Sequence, residues 1–253
     1  MRLKRAHTVR AAQLGIVLTV AVALELLVDH GVINDLILSR PSQMIVRLWQ
    51  DFGGEELWVS FAVTARDVVI AVTLSLSIGT AMGYALHRFF MLRRALEPLL
   101  VAFYSAPAVL LYPIFMIFFG QGNETVVVMA VVLATVPVAI NVAVGFNSIA
   151  PIWRKVGRSL HTTRAQMFFS IMVPAAMPTI VTGFRLGLTF ALVGVVALEF
   201  LTYSGGLGKL VSWRYFVFDT DGVYAAILLV AAIAIVINAL LSALERRVRR
   251  RWG

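Results

Sequence analysis

Four stretches of this chain, Val68 to Leu86, Leu99 to Phe119, Thr125 to Phe146 and Val223 to Leu244, contain no charged residue. Each approaches or exceeds the roughly 20 residues that a helix needs to cross a bilayer. Two further runs carry isolated charges: Ala11 to Val28 has Glu25 near its far end, and Ile180 to Thr202 has Arg185 and Glu199. Inside hydrocarbon a backbone must satisfy its own hydrogen bonds, so runs of this length are expected to be helices. The expected fold is therefore all-α, a polytopic membrane protein with six transmembrane helices. Hydrophobic residues make up 60% of the 253 and charged ones 14%, a balance that suits lipid and not water. A net charge of +9 would suit a nucleic-acid partner, but a basic soluble fold would not carry apolar runs as long as a bilayer is thick. No nucleic-acid partner is expected. Cysteine is absent, which excludes disulfides, thiolate chemistry and Cys-bound zinc or iron-sulfur sites.

The first run follows "MRLKRAHTVR" and has an alternative reading as a secretory signal, with "AVA" at 21 to 23 supplying small residues for cleavage. It is long for a signal core, which favours a retained anchor. The distribution of Lys and Arg sets the orientation. With six spans, Arg2, Lys4, Arg5 and Arg10, then Arg88, Arg93 and Arg94, then Arg154, Lys155, Arg158 and Arg164, then Arg246, Arg247, Arg249, Arg250 and Arg251 all fall on one side. That side is expected to be cytoplasmic, with both termini on it, in a multi-pass membrane protein. Residues 1–10 then form a cytoplasmic N-terminus, 11–244 a single transmembrane domain and 245–253 a basic cytoplasmic tail. In the long outer segment, "LSRPSQMIVRLWQDF" reads as an amphipathic helix lying along the interface. Ser42 is expected to cap it, with Met44, Ile45, Leu48 and Trp49 on one face.

Within the spans, Ala71, Ser75, Gly79 and Gly83 recur every four residues, as do Gly183, Gly187 and Ala191. Such stripes let helix backbones approach closely, within one subunit or between two. Pro107 and Pro113 interrupt the third span and predict a kink. With Tyr104, Ser105 and Tyr112 beside them, they mark either a pathway-lining segment or a packing kink with tyrosines near an interface. A charge at mid-bilayer costs about 2.5 to 3.5 kcal/mol on insertion scales, so Glu25, Arg185 and Glu199 each need a reason. Snorkelling towards the nearer surface is the plainer account of Arg185 and Glu199. The functional alternative makes Glu199 part of an outer gate.

No catalytic residues are expected. "GGLGKLVSW" at 205 to 213 imitates a phosphate loop but lacks its glycine spacing and a Ser or Thr after Lys209. HExxH and GxSxG are absent, and His7, His30, His87 and His161 are scattered, so no metal site is expected either.

The segment "IWRKVGRSLHTTRAQMFFSIMVPAAMP", residues 152 to 178, is more elaborate than a loop joining two spans needs to be. It reads as a short amphipathic helix with Ile152, Val156 and Leu160 on one side. A turn near "HTT" follows, then a second helix from Thr162 or Thr163 in which Met167, Phe168 and Ile171 share a face. This describes a docking surface or a helix lying on an anionic leaflet.

The segment resembles the "EAA" coupling loop of ABC-importer permeases, a pattern of Glu-Ala-Ala, three residues, Gly, nine residues and I-x-L-P. Here the corresponding residues are Lys155-Val156-Gly157, His161 and Ile171-Met172-Val173-Pro174. The spacing and downstream half match, while Lys155 replaces the Glu and His161 the Gly. "ALELLVDHGVI", "LSRPSQMIVRLW", "YSAPAVLLYPIFMIFFGQG", "VPAAMPTIVTGFRLGLTFALVGVVALEFL", "GGLGKLV" and "FDTDGVYAAILLV" extend the resemblance to permeases of the nitrate, sulfonate and taurine type. The resemblance implies a type I ABC-importer permease fold with its coupling loop at 150–175. It implies as partners two cytoplasmic ATPase subunits, a second permease copy (the same or a different chain) and a periplasmic or lipid-anchored solute-binding protein. ATP and Mg would sit on the ATPase subunits, with no cofactor on this chain. Arg154, Lys155, Gly157, Arg158, His161, Arg164, Phe168 and Pro174 would couple to the ATPase, and a small anionic organic solute would be the cargo. Two rivals remain: a secondary carrier or channel subunit, whose inverted repeats and ion-pathway charges are not seen, and a non-transporting membrane scaffold.

Overall fold

The computed structural model describes residues 2–105 and 108–252, with the side chains of 2–11, 14, 105, 108, 154 and 248–252 outside the description. The described residues contain helices and connecting turns, in the order α1 (Arg2–Asp29), α2 (Pro41–Phe52), α3 (Glu55–Arg88), α4 (Phe90–Ser105), a 3-10 turn (Ala108–Leu111), α5 (Tyr112–Phe119), α6 (Asn123–Asn147) and α7 (Pro151–Ser159). The single turn α8 (Arg164–Gln166) and a π-helical stretch (Met167–Met172) lead into α9 (Val173–Thr202), followed by α10 (Gly206–Phe216) and α11 (Thr220–Trp252). Glu55–Arg88, Asn123–Asn147, Arg164–Phe216 and Thr220–Arg247 are each long and apolar enough to cross a membrane. Phe90–Tyr104 and Val109–Phe119 form a fifth candidate if taken as one span, although they meet at 93°. The sixth apolar run lies within α1. Ile16, Val17 and Leu18 there, and Ile235 and Leu240 on α11, turn more than 60% of their surface outward, as a lipid-facing periphery should.

The centre of the bundle is α6, gripped by α3 and α9. Both small-residue stripes close on it: a Cβ on Gly79 would lie 2.7 Å from the Val138 side chain, and the same valine blocks any Cβ on Gly187. Gly83 faces the Val142 side chain and Gly183 faces Asn141. The stripes are therefore seams within one subunit, where a missing side chain lets neighbouring backbones touch. A Gly83→Leu substitution is expected to cost about 1 to 3 kcal/mol or more, since the overpacked atoms meet α6 directly. A lower unfolding temperature in detergent would register it.

Two expectations need correcting, and one helix extends beyond its apolar run. The third span is two helices at nearly a right angle and not one kinked helix. Pro113 begins α5 at a position where its missing N–H is no loss, and Pro107 lies outside the described residues. The helix at 41–52 forms as expected, but Arg40 is its N-cap. Ser42 instead donates its hydroxyl to Glu25 Oε1 at 2.5 Å and its amide to Oε2 at 3.0 Å. Only Met44 of the expected apolar face is buried, while Ile45 and Trp49 are exposed. Finally, α3 begins at Glu55, well before the apolar run, and its 34 residues extend about 50 Å.

Candidate functional site

At one end of the bundle, α7 stands out from the spans with its apolar face bare. Ile152, Trp153, Val156 and Leu160 are all exposed, as are Lys155, Arg158, His161 and Arg164 around them. Arg154 lies on the same helix, its side chain outside the description. The helix closes on a left-handed residue. The Thr162 amide bonds the Gly157 carbonyl at 3.2 Å, the His161 amide bonds the Arg158 carbonyl at 3.0 Å, and His161 has φ +49°. This is the closure that glycine usually serves, because a Cβ is strained there. Replacing His161 by glycine is expected to raise stability by about 1 kcal/mol, readable as a small upward shift in unfolding temperature.

The next helix starts where the sequence puts it. Thr163 accepts the Gln166 amide at 3.2 Å and the Gln166 side chain accepts the Thr163 amide at 2.9 Å, a complete capping box. Pro174 follows in the first turn of α9, and its missing N–H leaves a carbonyl one turn back without its helical partner. The widened π turn at Met167–Met172 absorbs that defect. α7 is moored to this turn through Gly157, which is buried so closely that a Cβ would lie 2.7 Å from Met167 Sδ and 2.9 Å from Ile171 Cδ1. Phe168 points inward. Its ring stacks on Phe146 at 5.9 Å and meets Tyr84 edge-on at 5.3 Å, while His87 shares a 2.7 Å hydrogen bond with Asn147. The exposed α7 face is thus connected by packed side chains to α3, α6 and α9. Phe168 and Gly157 belong to the mooring, and Lys155, Arg158, His161 and Arg164 to the open surface.

Of Tyr104, Ser105, Pro107 and Tyr112, only the two tyrosines have described side chains. Tyr104 rests on Phe190 at 5.4 Å, and the Tyr112 hydroxyl donates to Met116 Sδ at 3.4 Å. Ser105 ends α4 with its side chain outside the description, and Pro107 lies outside it altogether. Glu199 is far from snorkelling: it is fully buried at the end of α9 opposite α7. Its carboxylate accepts the Thr64 hydroxyl at 2.8 Å and the Gly208 amide at 3.0 Å, while Thr64 Oγ1 accepts the Leu207 amide at 2.8 Å. Glu199 and Thr64 therefore take the free amides at the start of α10, and a phosphate would find them occupied. Gly206 (φ +73°) gives the turn a conformation and a closeness that no side chain would permit, since a Cβ would collide with the Glu199 carboxylate. Glu25 does the same for α2. Both carboxylates, placed near the ends of apolar runs, cap the short helix that follows. Arg185 is also paired, with Glu245 on α11 at 3.1 Å.

Several residues at the α10 end escaped sequence reasoning. Asp67 is fully buried, accepting from Asn123 at 2.6 Å and from its neighbour Arg66 at 2.8 Å. Arg214, almost fully buried, grips Asp51 through both guanidinium nitrogens at 2.6 and 3.0 Å and donates to the Gly222 carbonyl. Arg47 bonds Asp219 at 2.8 Å, and Ser39 bonds Asp221 at 2.5 Å. These links join α2, α10 and the start of α11 into one ionic lattice. Its "FDTDG" signature was visible; the pairing across more than 160 residues was not. Among the described residues no three His, Asp or Glu side chains converge as metal ligands.

The hydroxyls that meet carboxylates in this arrangement, Ser42 on Glu25 and Thr64 on Glu199, serve the starts of α2 and α10. The chain presents an exposed apolar and basic face at one end and a charged, hydrogen-bonded set of short helices at the other, joined by long helices through a tightly packed core.

The sequence matches, over residues 75–250, the family described as binding-protein-dependent transport system inner membrane component. It is 29% identical over 220 residues to the taurine transport system permease protein TauC of Escherichia coli, covering 85% of this chain and 80% of that one. It is 30% identical over 210 residues to the riboflavin transport system permease protein RibX of Chloroflexus aurantiacus, covering 83% and 78%. Among solved structures, the inward-facing MetNI methionine ABC transporter shares the fold with a TM-score of 0.66 at 19% identity, covering 76% of this chain and 96% of that one. The family match spans well over half of the chain, and this all-α, multi-pass protein belongs to the binding-protein-dependent inner-membrane permeases, the translocating and non-catalytic subunits of ABC importers.

Proposed function

We propose that this permease works as one of a pair, with α7 seated in a groove of a cytoplasmic ATPase subunit and a solute-binding protein delivering cargo to the end that carries α2 and α10. ATP and Mg are bound by the ATPase subunits. The observation that carries this reading is the exposed apolar and basic face of α7, held to the spans by the packing around Gly157. A pull on α7 reaches Met167 and Ile171 at the head of α9, and through Phe168 it reaches Tyr84 and Phe146 on α3 and α6. Tight packing passes such displacements on as a rearrangement of helices, not as a local dent. The 93° break between α4 and α5 divides one span where it can yield without unwinding a whole helix. The concentration of Lys and Arg on the α7 side supports a cytoplasmic position for that side and for both termini. Residues 11–244 act as the transmembrane domain and 150–175 as its coupling loop.

The relatives that carry taurine, a small sulfonate, and nitrate in their names support a small solute with an anionic group as cargo. Lys155, standing where the family pattern has Glu, calls for an acidic counterpart on the ATPase, or for a second permease that carries the usual motif.

Reconstitution in proteoliposomes with its ATPase and binding protein tests the reading. Hydrolysis should rise when the binding protein is loaded with solute; a membrane scaffold would leave it unchanged. Glu199 supplies a narrower test. Glu199→Ala orphans the Gly208 amide and the Thr64 hydroxyl, each at about 1 to 3 kcal/mol. Glu199→Gln keeps an acceptor and should keep the fold. Slower uptake by the folded Gln variant is expected if Glu199 serves the outer gate, and normal uptake and affinity would restrict it to a structural cap.

A further inference from the structure

We infer that the corner between α3 and α4 binds the headgroup of an anionic phospholipid. The corner lies at the α7 end of the bundle, since His87 bonds Asn147 and Tyr84 packs on Phe168. Phe89, Phe90 and Met91 form the bend between the two helices and are 58%, 70% and 80% exposed. Arg88 lies over the Phe89 ring at 5.9 Å and Arg94 is exposed on the first turns of α4. Neither guanidinium meets a carboxylate among the described residues. Arg93 differs. Glu97 holds it at 2.7 Å, so its charge is already met within the chain.

Arg94 and the Arg93–Glu97 pair open with Pro98, Val101 and Ala102 onto a shallow cavity of about 590 Å³. Leu99 and Val101, 64% and 50% exposed, continue the same helix into the apolar run. Two unpaired cations therefore sit above an outward apolar strip at the depth where a span enters the membrane. A phosphodiester at the guanidinium groups with acyl chains along Leu99 and Val101 satisfies both features. The ATPase contact proposed for this permease lies on α7, a face separate from this corner. The inference requires only that the chain span a membrane, and it stands whether or not α7 meets an ATPase.

The test is native mass spectrometry of the purified assembly released from nanodiscs containing equal phosphatidylcholine and phosphatidylglycerol. The wild type should retain phosphatidylglycerol preferentially. An Arg88→Gln/Arg94→Gln variant should lose about fivefold of that preference for each arginine, the factor that a basic residue near a charged leaflet carries. An Arg88→Lys/Arg94→Lys variant, which keeps the charge, should retain most of it and controls for misfolding. Absence of preference in the wild type, or an equal preference in wild type and the Gln variant, overturns the site. So does a Gln variant that loses its ATPase subunits while its lipid preference is unchanged, since the patch would then be a protein contact.

Discussion

Reversing Lys155 and Arg158 to glutamate is expected to abolish solute-stimulated ATP hydrolysis and uptake while leaving the permease inserted and folded. Both side chains are exposed on α7 and form no hydrogen bond or ion pair among the described residues, so the permease itself loses nothing by their reversal. Their partners, on the proposed reading, are acidic groups on the ATPase. Turning two attractive contacts into repulsive ones costs several kcal/mol, which lowers the affinity for the ATPase by about a hundredfold or more. Neutral Lys155→Gln and Arg158→Gln variants remove attraction without adding repulsion and should fall between. Co-purification yield and binding-protein-stimulated hydrolysis are the measurements. Full coupling in the double reversal, with wild-type amounts of ATPase retained, would remove these residues from the interface.

Asp51→Ala should strongly destabilise the opposite end of the bundle. Arg214 is 5% exposed and Asp51 10%, and the two form a two-point ion pair. Removing one member of a buried pair leaves the other charge uncompensated, at a cost of about 3 to 5 kcal/mol. Arg214 would keep only the Gly222 carbonyl, and Arg47 would lose its weaker contact to Asp51 at 3.6 Å while keeping Asp219. The joint Asp51→Leu/Arg214→Met variant removes both charges and should recover much of the loss. Denaturation in detergent measures the difference between the single and double variants. An Asp51→Ala variant as stable as the wild type would show that the lattice is too wet to matter.

Apolar continuity made the spans legible, because nothing but a helix suits such a run in lipid, and four-residue spacing made the α3 and α9 seams legible before their partner α6 was known. The amphipathic α7 and the Thr163 cap were equally readable, being local. What escaped depends on distant pairing. The α3 helix runs on past its apolar stretch because Thr64 and Asp67 are taken up by Glu199, Leu207 and Asn123, far off in the chain. Its true start was therefore hidden among polar residues. Glu199 looked like a residue near a membrane surface, yet it is buried because α10, unforeseen in "GGLGKLVSW", folds back onto it. Ser42 had the identity of a cap but stands two places too late, behind Arg40 and Pro41, and Glu25 from α1 takes over that role. The break in the third span exceeded the expected kink because the intervening turn lets α5 restart in a new direction at Pro113.

The absence of cysteine allows a single reporter to be placed on α7 without background. In cells containing the complete importer, Val156→Cys should cross-link to the ATPase subunit and resist a membrane-impermeant thiol reagent added from outside. Modification of Val156→Cys from the outside, or no cross-link in an assembly that still couples hydrolysis to uptake, would contradict α7 as the coupling helix.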